Sequence, residues 1–302
     1  MEPTGSAAHQ ALAVVGDPPV VTVPRSVRDH DVGEAPRPGM HAHRFVRSRW
    51  PRSTISVVIP AMNEERNIAW VLERLPAGID EVILVDGDSV DATVEVSRAA
   101  RPDIRVIGQE EPGKGAALRA GFACARGDII VMIDADCSMD PAEIGRFLEP
   151  LRDGYDLVKG SRFAEGGGTT DMGRVRRCGN ALLRGLTNIL FGTRFTDLCY
   201  GYMAFRRNKL ETLGLEANGF EIETEIVVRA VTSGLRVCEV ASFEMPRAHG
   251  QSNLNAWRDG KRVLRVMLRH RLARRPPSIE PALAGSEDSA ARAELAMVEI
   301  SA

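Results

Sequence analysis

The five cysteines form no CxxC pair: Cys124, Cys137, Cys178, Cys199 and Cys238 are scattered and odd in number. That argues against a zinc site and against a disulfide framework, and scattered thiols suit a reducing cytoplasm. No run of 18 apolar residues occurs, so no segment reads as a transmembrane helix. Residues 1–39 mix Pro, Gly, Ala and charges without an apolar h-region, so no signal peptide is expected. Neither sign of charge is in large excess: 39 Lys and Arg against 41 Asp and Glu give a net charge of −2, which argues against bulk nucleic-acid binding. No internal repeat is evident. What is present is an ordinary globular composition, 44% apolar over 302 residues, enough for one large domain or two small ones.

Residues 1–50, rich in Pro, Gly, Ala and Arg without periodicity, read as a disordered extension. Residues 276–302 open on Pro-Pro, turn acidic and Ala-rich, and read as a tail. Between them, strand and helix patterns alternate. Strands are expected at 55–60, 81–86, 104–107 and 128–133. Helices are expected at 64–75, with Asn63 as N-cap, and at 89–100 and 115–125. This βαβαβαβ succession implies a parallel sheet with right-handed crossovers. The second half is less regular, with short strands at 157–160, 201–205 and 237–240, helices at 180–191 and 221–233, and a basic helix at 254–275.

Three of the first-half strands end in polar clusters: Pro60-Ala61-Met62-Asn63-Glu64, Asp86-Gly87-Asp88-Ser89 and Asp134-Ala135-Asp136. Parallel strands share their C-terminal edge, which is where open α/β sheets bind ligands. In an extended segment Asp134 and Asp136 point to one side, and two such carboxylates repel unless a cation or water lies between them. A divalent metal holding a diphosphate suits that pair; a solvated turn is the alternative. Asp86 can accept hydrogen bonds from a base or ribose. Pro112-Gly113-Lys114-Gly115 opens a helix with close-approaching backbone and a positive charge. The spacing of a Walker A loop is absent, and no GxGxxG follows the first strand, so a dinucleotide cofactor is not expected.

In order and spacing, Val57 to Glu64, Val85 to Ser89, Gly113-Lys114-Gly115 and Asp134-Ala135-Asp136 resemble the family 2 glycosyltransferases, most closely the polyprenyl (dolichyl) phosphate sugar synthases. The resemblance spans about 53–270. It implies a GT-A fold: a Rossmann-like, mostly parallel sheet flanked by helices, with disordered tails. The implied organisation is a catalytic domain at 53–250 and a basic amphipathic helix at 251–275. It further implies that Pro60, Asn63, Glu64 and Asp86, with Lys114 and Asp134, hold a nucleoside diphosphate sugar such as GDP-mannose or UDP-glucose. Asp134 and Asp136 would hold Mg²⁺ or Mn²⁺, which would neutralise charge on the leaving diphosphate. The family often has Asp-Asp-x-Ser where this chain has Asp86-Gly87-Asp88-Ser89, which leaves Asp88 without an assigned role. Arg162, Arg247 and Ser252 match positions that look like ligands of an acceptor phosphate, and Arg176 and Arg177 lie in the same candidate region.

Two acceptor chemistries are open. A hydroxyl acceptor needs a general base, for which Asp197 or Glu223 would serve. A lipid phosphate is already anionic and needs cations and alignment instead; the match at Arg247 and Ser252 favours it. Asp136, Asp197, Glu223 and Arg247 are therefore the catalytic candidates. Trp257, Leu264 and Leu268 interleaved with Arg and Lys make the 254–275 segment read as a helix lying on an anionic membrane. The expectation is a cytoplasmic, inverting, metal-dependent hexosyltransferase, peripheral on the inner membrane face, acting on polyprenyl phosphate. The alternatives are a transferase for a soluble hydroxyl acceptor, a nucleotidyltransferase, or a non-catalytic sugar-nucleotide binder.

Overall fold

The computed structural model describes residues 53–251 and 254–272. Ser252, residues 273–275 and both expected tails lie outside that range.

The elements run β1 (Ile55–Ala61), α1 (Ile68–Glu73), β2 (Glu81–Asp86), α2 (Thr93–Ala100), β3 (Arg105–Gly108), α3 (Lys114–Cys124), β4 (Ile129–Met132), α4 (Ile144–Arg152), β5 (Leu157–Ser161), β6 (Gly168–Thr169), α5 (Arg174–Phe191), β7 (Met203–Arg206), α6 (Leu210–Leu213), α7 (Ile222–Thr232), β8 (Val237–Ala241), β9 (Phe243–Glu244) and α8 (Ala256–Leu272). Seven strands form one sheet in the order β3-β2-β1-β4-β7-β5-β8, and β6 pairs with β9 in a second. In the large sheet only β7 runs against its neighbours. The strand order reverses between β1 and β4, which leaves a crevice beyond their C-terminal ends.

The central strands read as unbroken apolar runs because both faces are covered. In β1, Val57 and Ile59 face a core shared with α1 and α4. Val58 faces the opposite core, with α3 and α7. Close packing of α3 depends on Gly121, where a Cβ would stand 2.4 Å from Val58 Cγ1 and 2.9 Å from Val85 Cγ2. A third, smaller cluster joins α5, α7 and α8 through Leu198, Val228, Val263 and Met267.

Three helix starts differ clearly from expectation. Asn63 does not cap a helix. Its φ is +59°, and its Oδ1 accepts from the Val90 amide at 2.9 Å. Residues 64–67 instead make a turn in which the Asn67 and Ile68 amides both donate to the Glu64 carbonyl. Likewise α2 begins at Thr93 and not at Ser89, because Ser89 Oγ accepts from the Asn63 amide and Asp91 Oδ1 accepts from the Thr93 amide. Both changes tie the first two polar loops together at the mouth of the crevice. α5 also begins earlier than expected, at Arg174, where the exposure of Arg174, Val175, Arg177 and Cys178 hides the apolar periodicity.

Candidate active site

The C-terminal ends of β1 and β4 and the N-terminus of α3 surround a crevice of about 420 Å³. Its walls include Pro60, Met62, Glu64, Gly87, Asp88, Gln109, Lys114, Asp134, Asp136 and Arg247. The N-terminus of α3 reaches this place because Gly115 lies directly on the 217–218 backbone. A Cβ there would meet the Ala217 carbonyl oxygen at 2.3 Å, and the Gly115 amide donates to the Asn218 carbonyl at 2.8 Å.

The crevice floor is a charge network. Lys114 Nζ lies 2.6 Å from Asp134 Oδ1 and 2.8 Å from Glu223 Oε1. Arg247 bridges Asp136 Oδ2 at 2.7 Å and Glu64 Oε1 at 2.9 Å. The Ser138 amide donates to Asp136 Oδ1 at 3.0 Å. Four carboxylates thus face two side-chain cations. Burial, and then repulsion from Asp136 and Glu223, raise the Asp134 carboxyl to about 6 despite Lys114. Burial likewise raises Glu64, against its bonds from Asn67 and Arg247. For Lys114, burial would lower the ammonium pKa, but Asp134 and Glu223 outweigh it and hold the group charged.

This surplus of hard oxygen donors fits a divalent cation. No group of three or more His, Cys, Asp or Glu side chains stands ready to hold a metal among the described residues. A cation here would therefore draw its remaining ligands from phosphate oxygens and water, as Mg²⁺ commonly does.

A second, smaller cavity of about 90 Å³ lies between α5 and α8 and is walled mainly by apolar atoms, among them Met172, Val175, Leu183 and Val263. Phe220 lines both cavities, and Glu223 lines the smaller one while bonding Lys114 of the larger. The two spaces therefore meet at the Lys114–Glu223 pair. Gly201 makes room for that pair: a Cβ would stand 2.6 Å from Glu223 Oε1 and 3.0 Å from Lys114 Nζ.

The structure brings Pro60, Glu64, Lys114, Asp134, Asp136, Arg247 and Glu223 together, and redirects other candidates. Asn63 serves as the loop strut described above and does not line the crevice. Asp86 also stands behind the wall, with Oδ2 accepting from Ser89 and Oδ1 buried without a partner. Asp197 is fully buried and bonded through both oxygens to Arg162, at 2.6 and 2.9 Å. Burial would raise this carboxyl, but Lys159 and Arg162 together hold it at about 2. It is no general base. Arg162 also lines the smaller cavity, but its guanidinium is equally occupied, reaching Glu244 at 3.0 Å and the Cys199 carbonyl at 2.9 Å, so it is not free for a phosphate. Arg176 lines the smaller cavity and pairs with Asp171 at 3.3 Å. Arg177 is exposed and stacks at 5.8 Å on Phe163, away from that cavity. His249 is exposed, and its carbonyl accepts from Asn67.

Sequence reasoning assigns no role to Gly201, Gln109 and Phe220, because each lies beside charged residues that draw the chemical reading while its own contribution is space or wall. It also misses Arg258 and Arg262 of α8, which line the crevice. Their signal was present as basic spacing, but only the packing of α8 on α7 turns that flank inward.

The chain matches the family model described as Glycosyl transferase family 2 over residues 56–214. The dolichyl-phosphate hexose transferase of Haloferax volcanii is 32% identical over 225 residues, which cover 72% of this chain and 96% of that protein. The dolichol-phosphate mannosyltransferase of Pyrococcus furiosus is 30% identical over 225 residues, covering 72% of this chain and 62% of that protein. Among solved structures, glucosyl-3-phosphoglycerate synthase from Mycobacterium tuberculosis, in complex with Mn²⁺, UDP and phosphoglyceric acid, matches with a TM-score of 0.60 and 28% identity over 72% of this chain and 78% of that one. The same synthase is also known with Mg²⁺ and UDP.

Proposed function

The chain belongs to glycosyl transferase family 2, and from that premise we propose that it moves a hexose from a nucleoside diphosphate sugar to a polyprenyl phosphate, with inversion, at the cytoplasmic face of a membrane. Its helix-flanked, mostly parallel sheet is the GT-A fold that the motifs imply. The observation that carries the acceptor assignment is the junction of two unlike cavities: a crevice whose cations, and carboxylates fit for a divalent metal, suit a diphosphate, and an apolar slot with Arg162 and Arg176 on its wall.

In this reading the diphosphate lies in the crevice, where Lys114, Arg258 and Arg262 supply positive charge. Asp86 stands behind the wall with Oδ1 buried, so the base and ribose are met instead by the crevice lining at Pro60, Gly87, Asp88 and Gln109. Asp134 and Asp136 would hold Mg²⁺ or Mn²⁺, which supplies charge to the departing diphosphate. Arg247, now on Asp136 and Glu64, is within the same network and can follow either phosphate. The hexose sits where crevice and slot meet, beside Lys114 and Glu223. An oxygen of the acceptor phosphate bonds to the anomeric carbon as the bond to the nucleoside diphosphate breaks, and that electron pair leaves with the diphosphate. The acceptor oxygen carries no proton to remove, which agrees with Asp197 being sealed as an ion-pair partner.

A soluble acceptor is the second reading, favoured by the likeness to glucosyl-3-phosphoglycerate synthase. Incubation with labelled GDP-mannose or UDP-glucose and Mg²⁺, with either polyprenyl phosphate or 3-phosphoglycerate, separates the two. Label in organic-extractable product that requires the lipid phosphate is the expected result. Label transferred only to the soluble acceptor would overturn the lipid assignment.

A further inference from the structure

We propose that the outer sides of α5 and α8 together form a docking surface for an anionic lipid bilayer, a reading that rests on the lipid acceptor above and specifies how it is reached. On α5, Val175, Leu182 and Ile189 are 68%, 74% and 81% exposed. Their seven-residue spacing stacks them along one line of the helix. On α8, Trp257 and Leu272 are 80% and 84% exposed, with Leu264 and Leu268 at 36% and 44% on the same side.

These are not the packing residues of either helix. α5 buries Asn180, Thr187 and Phe191, and α8 buries Asp259, Val263 and Met267. Leu264 and Leu268 each follow a buried residue by one position, so their stripe adjoins the flank that meets α5, where Thr187 Oγ1 contacts Met267 Sδ at 2.8 Å. The opposite flank of α8 turns toward α7, with Arg269 on Glu216 and His270 beside Glu225. The two stripes therefore border one another, on the side where the apolar slot lies between the same helices.

Charge identifies the occupant. α5 carries four arginines and no acid, and the single acid of α8, Asp259, is buried. Arg258 and Arg262 belong to the crevice, but Lys261 and Arg265 flank Leu264 and Leu268, and Arg174 and Arg177 are exposed on α5. In a chain of net charge −2 this is a local concentration of cations. Apolar side chains interleaved with cations, with no acid facing outward on either helix, match anionic headgroups above acyl chains. A second copy of the chain would set cations against cations, and a nucleic acid would leave the apolar stripes uncovered.

The test is flotation of the full chain with phosphatidylcholine vesicles, with and without phosphatidylglycerol. The full chain is expected to float only with the anionic vesicles and to be released by salt. Because each Lys or Arg near such a surface contributes roughly a factor of five, Lys261→Glu with Arg265→Glu should weaken binding by at least about 25-fold. Leu182→Ser with Ile189→Ser should weaken it while the thermal melt is unchanged. None of these four side chains lines either cavity. Failure of the full chain to bind anionic vesicles, or wild-type flotation by both double variants, would overturn the proposal. Transfer to a short-chain, water-soluble prenyl phosphate judges the acceptor separately: all variants should keep the wild-type rate there. Its absence in every form would count against the acceptor assignment alone, with flotation still deciding the docking surface.

Discussion

A carboxylate sealed against a guanidinium and one buried on the crevice floor among other carboxylates shift in opposite directions, and Asp197 and Asp134 are the two cases here. Asp197 is held at about 2 by Lys159 and Arg162. Its carboxylate form is therefore favoured in the folded chain relative to an unfolded value near 3.9. The stabilisation is complete above pH about 4 and is lost as pH falls through about 2, on the order of 2 kcal/mol in all. Chemical denaturation repeated from pH 6 down to pH 2 should show that decline, and Asp197→Asn should remove this component of it. The same substitution leaves Arg162 buried without its main partner and should cost about 3–5 kcal/mol of stability, read by calorimetry. The folded fraction should still transfer sugar; complete loss of transfer at full folding would restore Asp197 as a base. Lys114→Met should act differently. It removes the cation shared by Asp134 and Glu223, so transfer should fall by about 100-fold or more, measured as kcat on folded protein.

At the scale of elements, α3 is the part whose placement decides the site, because it brings Lys114 from its first turn to the end of β4. Two glycines permit this. Gly121→Val would place side-chain atoms within the space of Val58 and Val85 and should cost about 1–3 kcal/mol or more by overpacking. Gly115→Ala would press on the Ala217 carbonyl and shift the first turn of α3 from the crevice, so it should lower affinity for nucleotide more than it lowers stability. Titration of UDP or GDP by calorimetry, beside a melt, distinguishes the two effects. The alternating apolar runs made α3 and its neighbouring strands legible in the sequence, since burial on both faces leaves an unbroken apolar signature. The helix starts were less legible: Asn63, Ser89 and Asp91 are good capping residues by type, but here their side chains tie loop to loop.

For the whole molecule, ligand and metal should act as one stabilising unit, since two carboxylates alone make a sparse site and the diphosphate supplies the remaining oxygens. Mn²⁺ or UDP alone should raise the melting temperature little. The two together, at about 100 times their dissociation constant, should add roughly 2.7 kcal/mol. Asp136→Ala should abolish that increment with the fold intact. An undiminished increment in the variant would remove Asp136 from the metal site.

The succession of strands and helices in the first half, their shared polar edge and the acidic pair after β4 were determined by the sequence itself, because β-branched runs buried on two faces and loops rich in Asp and Asn are local properties. The roles of particular charged residues were not local. Lys114 meets Glu223 across 109 residues, Arg162 meets Asp197 across 35 and Glu244 across 82, and Arg247 meets Glu64 across 183. A sequence shows that an Arg or Asp is present but not how much water surrounds it. Only the packing of α5, α7 and α8 on the sheet decided which charges became sealed pairs, which line a cavity, and which apolar side chains remain outside.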